Sequence, residues 1–323
     1  METTTIKKQG SIASNKHADI KNIWESAQRI NKILFFLVLS HFTTIAQDIR
    51  FSQWYNAPHN INPALAGATK DIHIASNYID QWQSPTAPYK FGGFSTDVRY
   101  VKKKWKKCFI GIGVNVFSIK NKNGIETTQG NLTIAYHVYT GIKSTLGAAM
   151  QGGFAQSKGN IISLSPKEAY TDFSGGLCWI YGTGKKSDFD NIIHSASLGI
   201  AMFHFNHPDM FDEALYLKII SHARAEIGIG KSKFSLIPGI LYSKQGPAEE
   251  AIAGLTAKYY LLEKAAISLG SHYINKVGFG ILSEVEIKNV ALGISYNINT
   301  PSLNTGKGNF EISLRYGAPN NYN

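Results

Sequence analysis

From Asp71 to Tyr316 the chain places apolar side chains at every second position, segment after segment, and this alternation is its tightest constraint on the fold. Successive side chains of a strand point to opposite sides, so the pattern describes β-structure with one apolar and one polar surface. Ile219, Ser221, Ala223, Ala225, Ile227 and Ile229 share one face, opposite His222, Arg224, Glu226 and Gly228. Phe310, Ile312, Leu314 and Tyr316 face away from Glu311, Ser313 and Arg315 in the same manner. A soluble sandwich must bring two inner faces together in a core, and lysine, arginine and glutamate recur on the inward face here. A water-facing barrel lumen accepts them.

The pattern predicts an all-β protein, an antiparallel outer-membrane β-barrel of about 14 strands. They are expected at Asp71–Trp82, Phe91–Val101, Phe109–Ile119, Gly130–Thr140, Thr145–Ala155, Phe173–Tyr181 and His194–Phe205. The others are Tyr216–Ile229, Ser232–Tyr242, Ala251–Tyr260, Ala265–Tyr273, Val277–Ile287, Val290–Ile298 and Phe310–Gly317. Connections alternate between short ones such as Lys288-Asn289, expected in the periplasm, and longer ones such as Gln156–Asp172 and Ser243–Glu250, expected outside. Gly182–Ile193 is long for the first class and Ile274–Lys276 short for the second.

The N-terminus supplies the route. Lys21, Arg29 and Lys32 precede the apolar run Ile33–Leu39, and Thr44-Ile45-Ala46 puts small residues where a signal peptidase reads. Residues 1–46 are read as a signal peptide with its preceding region, 47–70 as a periplasmic or plug-like segment and 71–323 as the barrel. Within the second part, Asn62-Pro63-Ala64-Leu65-Ala66-Gly67 spells an N-cap, a first helical residue and a stop, which predicts one helical turn. Cys108 and Cys178 sit in separate segments and are expected to be unpaired, with no metal-binding spacing around them.

The opening from Gln47-Asp48 through Phe51-Ser52-Gln53-Trp54-Tyr55 to Asn62-Pro63-Ala64-Leu65-Ala66-Gly67 resembles that of the PorP/SprF family of Bacteroidetes outer-membrane proteins. Further likenesses are Pro88-Tyr89, Asn123-Gly124, Leu132–Tyr139, the glycine-rich Leu146–Phe154 and Gly308–Leu314. The first strand departs from the family pattern, since Tyr78-Ile79-Asp80-Gln81-Trp82 has no arginine. The resemblance implies a non-enzymatic component of the type IX secretion system. Its expected partners are other components of that system and a secreted cell-surface protein, of gliding-adhesin type, recognised by its C-terminal domain.

Phe51, Trp54, Tyr55, Asn62 and Pro63 are candidate partner-binding residues, because aromatics left outside a strand form either a seal for the barrel or a contact patch. Lys103 and Trp105, in the basic run Lys102–Lys107, join them as a contact for acidic lipid headgroups or an acidic partner. His137, His222, Arg224, Glu226, Lys258 and Arg315 are predicted to face the lumen, where they either line a channel or pair with one another or with a plug. Six basic and three acidic residues precede Gln47, so about +8 of the net +11 remains after cleavage. Nucleic acid is not an expected partner of an exported barrel; outer-membrane lipid is. Ser221 and His222 are adjacent on one strand and so point apart, and no nucleophile elbow, zinc-binding pair or phosphate loop accompanies them, so no catalysis and no cofactor are expected. A passive diffusion porin is the alternative reading of the charged lumenal face.

Overall fold

The computed structural model describes residues 51–81, 89–102, 107–120, 124–159, 167–182, 192–210, 213–230, 232–262, 264–275, 277–299 and 308–318. The proposed signal peptide and the pair Lys103 and Trp105 therefore lie outside the described residues. The strands run β1 Ile72–Gln81, β2 Tyr89–Tyr100, β3 Cys108–Lys120, β4 Glu126–Gly141, β5 Ser144–Lys158, β6 Lys167–Tyr181, β7 Ile193–Phe203, β8 Asp209–Met210 and β9 Glu213–Ala214. They continue with β10 Lys218–Gly228, β11 Phe234–Gln245, β12 Ala248–Leu262, β13 Ala265–Ile274, β14 Gly278–Ile287, β15 Val290–Asn299 and β16 Asn309–Ala318. All but β8 and β9 form one closed antiparallel barrel of 14 strands. The sequence places every one of the fourteen; the small hairpin β8–β9, within a connection, carries too few residues to show a period.

Closure leaves no free edge. β1 pairs with β2 on one side and with β16 on the other, from Ile72 opposite Ala318 to Gln81 opposite Asn309. Along β4, Leu132, Ile134 and Tyr136 are more than half exposed on the outside, while Asn131, Thr133, Ala135 and His137 between them are buried on the inside. An apolar surface of this extent, unpaired by protein, is what lipid covers. Aromatic side chains gather on the outer face near both ends. Tyr100, Tyr136, Tyr259 and Tyr316 lie toward the end where β1 begins and β16 ends, the end of the barrel's own termini, and Phe154, Tyr242, Tyr273, Phe279 and Tyr296 toward the other, forming the two girdles of a membrane barrel.

Connections at the termini end include the two-residue turns 142–143, 263–264 and 288–289, so that end is periplasmic by the loop-length rule. One expectation is corrected at the opposite end. Ser243–Glu250 is not a long loop: β11 and β12 extend until only Gly246 and Pro247 separate them, and Gly246 takes the positive φ of 57° that the tight turn requires.

The lumen holds the segment 51–70. Asn62 caps a 3-10 turn at Pro63–Leu65, its side-chain oxygen accepting from the Ala64 N–H at 2.9 Å, and Gly67 ends the run at φ 66°, as the motif predicts. Two further turns, Trp54–Asn56 and Pro58–Ile61, precede it. They bring Phe51, Trp54, Ala57 and Ile61 against an apolar layer made by Phe91, Phe203, Ile220, Leu241, Ile252 and Ile274. This layer has no counterpart in the sequence reading. Toward the outer end the inward face thus carries an apolar layer alongside buried polar residues such as Gln129, Asp172, Asn297 and Glu311, and the apolar side chains of the inserted segment fill the space against that layer.

Candidate functional site

The candidate site is the interior of the barrel, where the segment 51–70 meets the wall. At its base, Asp97 of β2 is 3% exposed and joins three groups. The Gly67 N–H donates to it at 2.7 Å, and the His59 and His73 rings bond it at 3.0 and 3.1 Å. Arg99, two residues on and therefore on the same face, donates to the carbonyls of Gly67 at 2.8 Å and Ala68 at 2.6 Å. These hydrogen bonds carry charge on one partner, the stronger class of such bonds. The Arg99 guanidinium lies 4.4 Å from the centre of the Phe109 ring, and His137 stacks on that ring at 4.5 Å while donating to the Ala66 carbonyl at 2.9 Å.

Small residues let the segment approach the wall. A Cβ on Gly111 would fall on the carbonyl group of Ala66, and one on Gly176 on the Asn62 side chain. The inward glycines at Gly113 and Gly293 lie under His59 and Gln53 of the same segment, whereas Gly147 and Gly153 accommodate His137 and Asn131 of the neighbouring strand. Cys178 reaches the Ala64 carbonyl at 3.1 Å from β6, and Asn62 donates to the Leu177 carbonyl at 2.9 Å. Farther up, Glu311 of β16 is 1% exposed and accepts the Ser52 N–H at 2.8 Å. Asn56 donates to Ser313 at 2.8 Å, Asn77 to the Asn56 carbonyl at 3.0 Å, Asn115 to Asn60 at 2.9 Å, and Asn297 to Ser52. Strands from both sides of the barrel seam thus bind one short segment.

The remaining predicted lumenal residues lie on β10, β12 and β16. Arg315 pairs with Glu284 at 2.8 Å, and Lys258 with Glu286 at 3.0 Å and more distantly with Glu226 at 4.0 Å. Tyr260 donates to Glu226. Arg224 covers the Tyr55 ring at 3.9 Å, and burial together with the nearby Glu284 carboxylate pushes the Tyr55 phenol above its ordinary value, so it stays neutral. His222 lies between Asn62, 3.3 Å away, and the Trp54 ring at 5.7 Å. Some of these charges thus pair with one another and some are set against the inserted segment.

Phe51, Trp54, Asn62 and Pro63 are buried among barrel residues, the arrangement of a seal, which is the first of the two alternatives for them. Their apolar and amide surfaces are used up by the wall. Asp97, Glu311 and Arg99, each of which binds two groups of the segment, carry no sequence signal of their own, being single charged residues on strands.

Both cysteines are free, Cys178 inside and Cys108 on the outer face of β3. Cys178 thereby becomes a reporter of the inserted segment. In a Cys108→Ser background it is expected to resist a small maleimide under native conditions and to react once the protein is unfolded; rapid native labelling would show that the segment does not occupy the lumen.

Residues 43–316 match the family described as type IX secretion system membrane protein PorP/SprF. No curated protein matches the chain in sequence. Among solved structures, the chain is similar to the deltaS2 mutant of the TodX monoaromatic hydrocarbon channel, at 12% identity and a TM-score of 0.52, covering 80% of this chain and 93% of that one. It is also similar to the Pseudomonas putida toluene transporter TodX (10%, TM-score 0.49, 84% and 94%) and the Ralstonia pickettii toluene transporter TbuX (11%, TM-score 0.48, 80% and 92%). At such identities the likeness to the TodX mutant is one of barrel fold alone.

Proposed function

Because this chain belongs to the PorP/SprF family of type IX secretion system membrane proteins and folds as an outer-membrane β-barrel, we propose that it is a non-enzymatic partner that binds, helps deliver or anchors a secreted cell-surface protein through that protein's C-terminal domain. The family match carries the reading, and the filled lumen supports it. A barrel whose own residues bind residues 51–70 from many sides offers surfaces, not a standing path for solutes. The porin alternative loses its main motive for the same reason, since the charged lumenal residues are engaged in pairs and with the inserted segment.

Deletion of the gene tests the proposal. One large surface adhesin, or a small set, is expected to disappear from the cell surface while other type IX substrates are still exported. Correct display of every surface adhesin in the deletion strain would refute a cargo-specific role.

The route to the membrane is a further part of the proposal: residues 1–46 act as a cleaved signal peptide, and Gln47 begins the mature chain. Only four residues would then precede Phe51, whose side chain is buried at the apolar layer. Mass analysis of the protein taken from outer membranes is expected to give a chain starting at Gln47. A chain retaining the run Ile33–Leu39 would contradict cleavage.

A further inference from the structure

The two rims of the barrel differ sharply in charge. The six connections at the termini end, 101–107, 142–143, 182–192, 229–233, 263–264 and 288–289, hold twelve lysines against three acidic residues, and each contains at least one lysine. The seven connections at the other end hold three lysines against three acidic residues. The excess charge of the mature chain is thus concentrated at one rim. Among the described residues, Lys102, Lys107, Lys233, Lys264 and Lys288 are exposed there and Lys143 is half-buried.

The same turns expose apolar side chains at their tips. Ile142 is 99% exposed, Ile192 75% and Leu262 71%. Lipid does not account for them. Leu262 stands three residues beyond Tyr259 of the girdle and Ile142 six beyond Tyr136. With a rise of ~3.3 Å per residue and a tilt of ~40°, that places Leu262 roughly 8 Å past the girdle, at the far edge of a headgroup layer ~5 to 8 Å deep, and Ile142 roughly 15 Å past it, well beyond that layer. Apolar tips held in water and surrounded by lysines have the composition of a protein contact, with apolar anchors inside a charged rim.

We propose that this lysine-ringed periplasmic rim is a docking surface for an acidic periplasmic protein, with Ile142 and Leu262 as apolar anchors and Lys143, Lys264 and Lys288 selecting the charge of the partner. Anionic phospholipid would also attract the lysines, but it leaves the projecting isoleucine and leucine unexplained. The inference rests on the orientation of the barrel and not on the cargo reading; an acidic partner other than the cargo satisfies it.

A photo-crosslinking amino acid placed at Ile142 or Leu262 of the full-length protein in its own cells tests this, with Glu249 on the opposite rim as the control. A discrete protein adduct is expected from the first two positions and not from the third, joined through an acidic peptide. Combined Lys143→Glu, Lys264→Glu and Lys288→Glu should cut its yield at least about tenfold. Cys178 should remain unlabelled in that variant, showing the barrel and its inserted segment intact. Should charge reversal prevent assembly, glutamine at the three positions reads the same dependence as a loss of about threefold. Adducts to phospholipid alone, no protein adduct, or a yield indifferent to both substitutions would overturn the proposal.

Discussion

Asp97→Ala is expected to release the lumenal segment: Cys178 becomes reactive to maleimide in the folded barrel, residues 51–70 become open to protease, and the purified protein acquires a steady conductance in planar bilayers. The reason is the number of groups that depend on one carboxylate. The Gly67 N–H, His59 and His73 all lose their acceptor at once, in a site that is 3% exposed. Each hydrogen bond to a charged group contributes ~1.5 to 3 kcal/mol, and the buried partners left behind add their own desolvation cost. A local loss of about 3 to 5 kcal/mol is the expected size. The fourteen-strand ladder does not depend on Asp97, so the barrel itself should remain assembled. A variant with an unreactive Cys178 and no conductance would show that the segment is held by something else.

Gly111→Val should have a comparable effect by a different cause. A Cβ at this position meets the backbone carbonyl of Ala66, and backbone cannot swing aside as a flexible side chain can. Overpacking of this kind costs ~1 to 3 kcal/mol where neighbours can yield, and more where they cannot. The turn Pro63–Leu65 would have to lift from the wall, breaking the contact of Cys178 with Ala64 and that of His137 with Ala66. Labelling of Cys178 reads this directly. In contrast, Gly92→Ala, where a Cβ meets nothing within 4 Å, should leave labelling unchanged. Equal labelling of the two variants would mean that the close approach at Gly111 does not position the segment.

The barrel was legible because one face of each strand meets lipid and the other does not, which writes a period of two into the sequence. The turn at Asn62–Gly67 was legible for a separate reason: capping, proline and glycine each have local chemistry that needs no tertiary contact. The turns at Trp54–Asn56 and Pro58–Ile61 were not, since three or four residues cannot display a helical period. Nor was the apolar layer of the outer lumen. On β10, Ile220 faces inward beside outward Ile219, and two adjacent isoleucines blur the alternation at that layer. Asp97 was invisible because its partners lie 24 to 38 positions away in sequence. The inward glycines gave a partial signal: they indicated close packing inside the barrel without saying that a segment of the same chain would fill the space.

Affinity capture of the tagged barrel from detergent-solubilised outer membranes, with mass spectrometry of what accompanies it, tests the secretion-partner account most directly. The account predicts recovery of a large secreted protein, retained through its C-terminal domain and lost when that domain is removed. Recovery of the barrel alone, under conditions that keep other envelope complexes together, would contradict it.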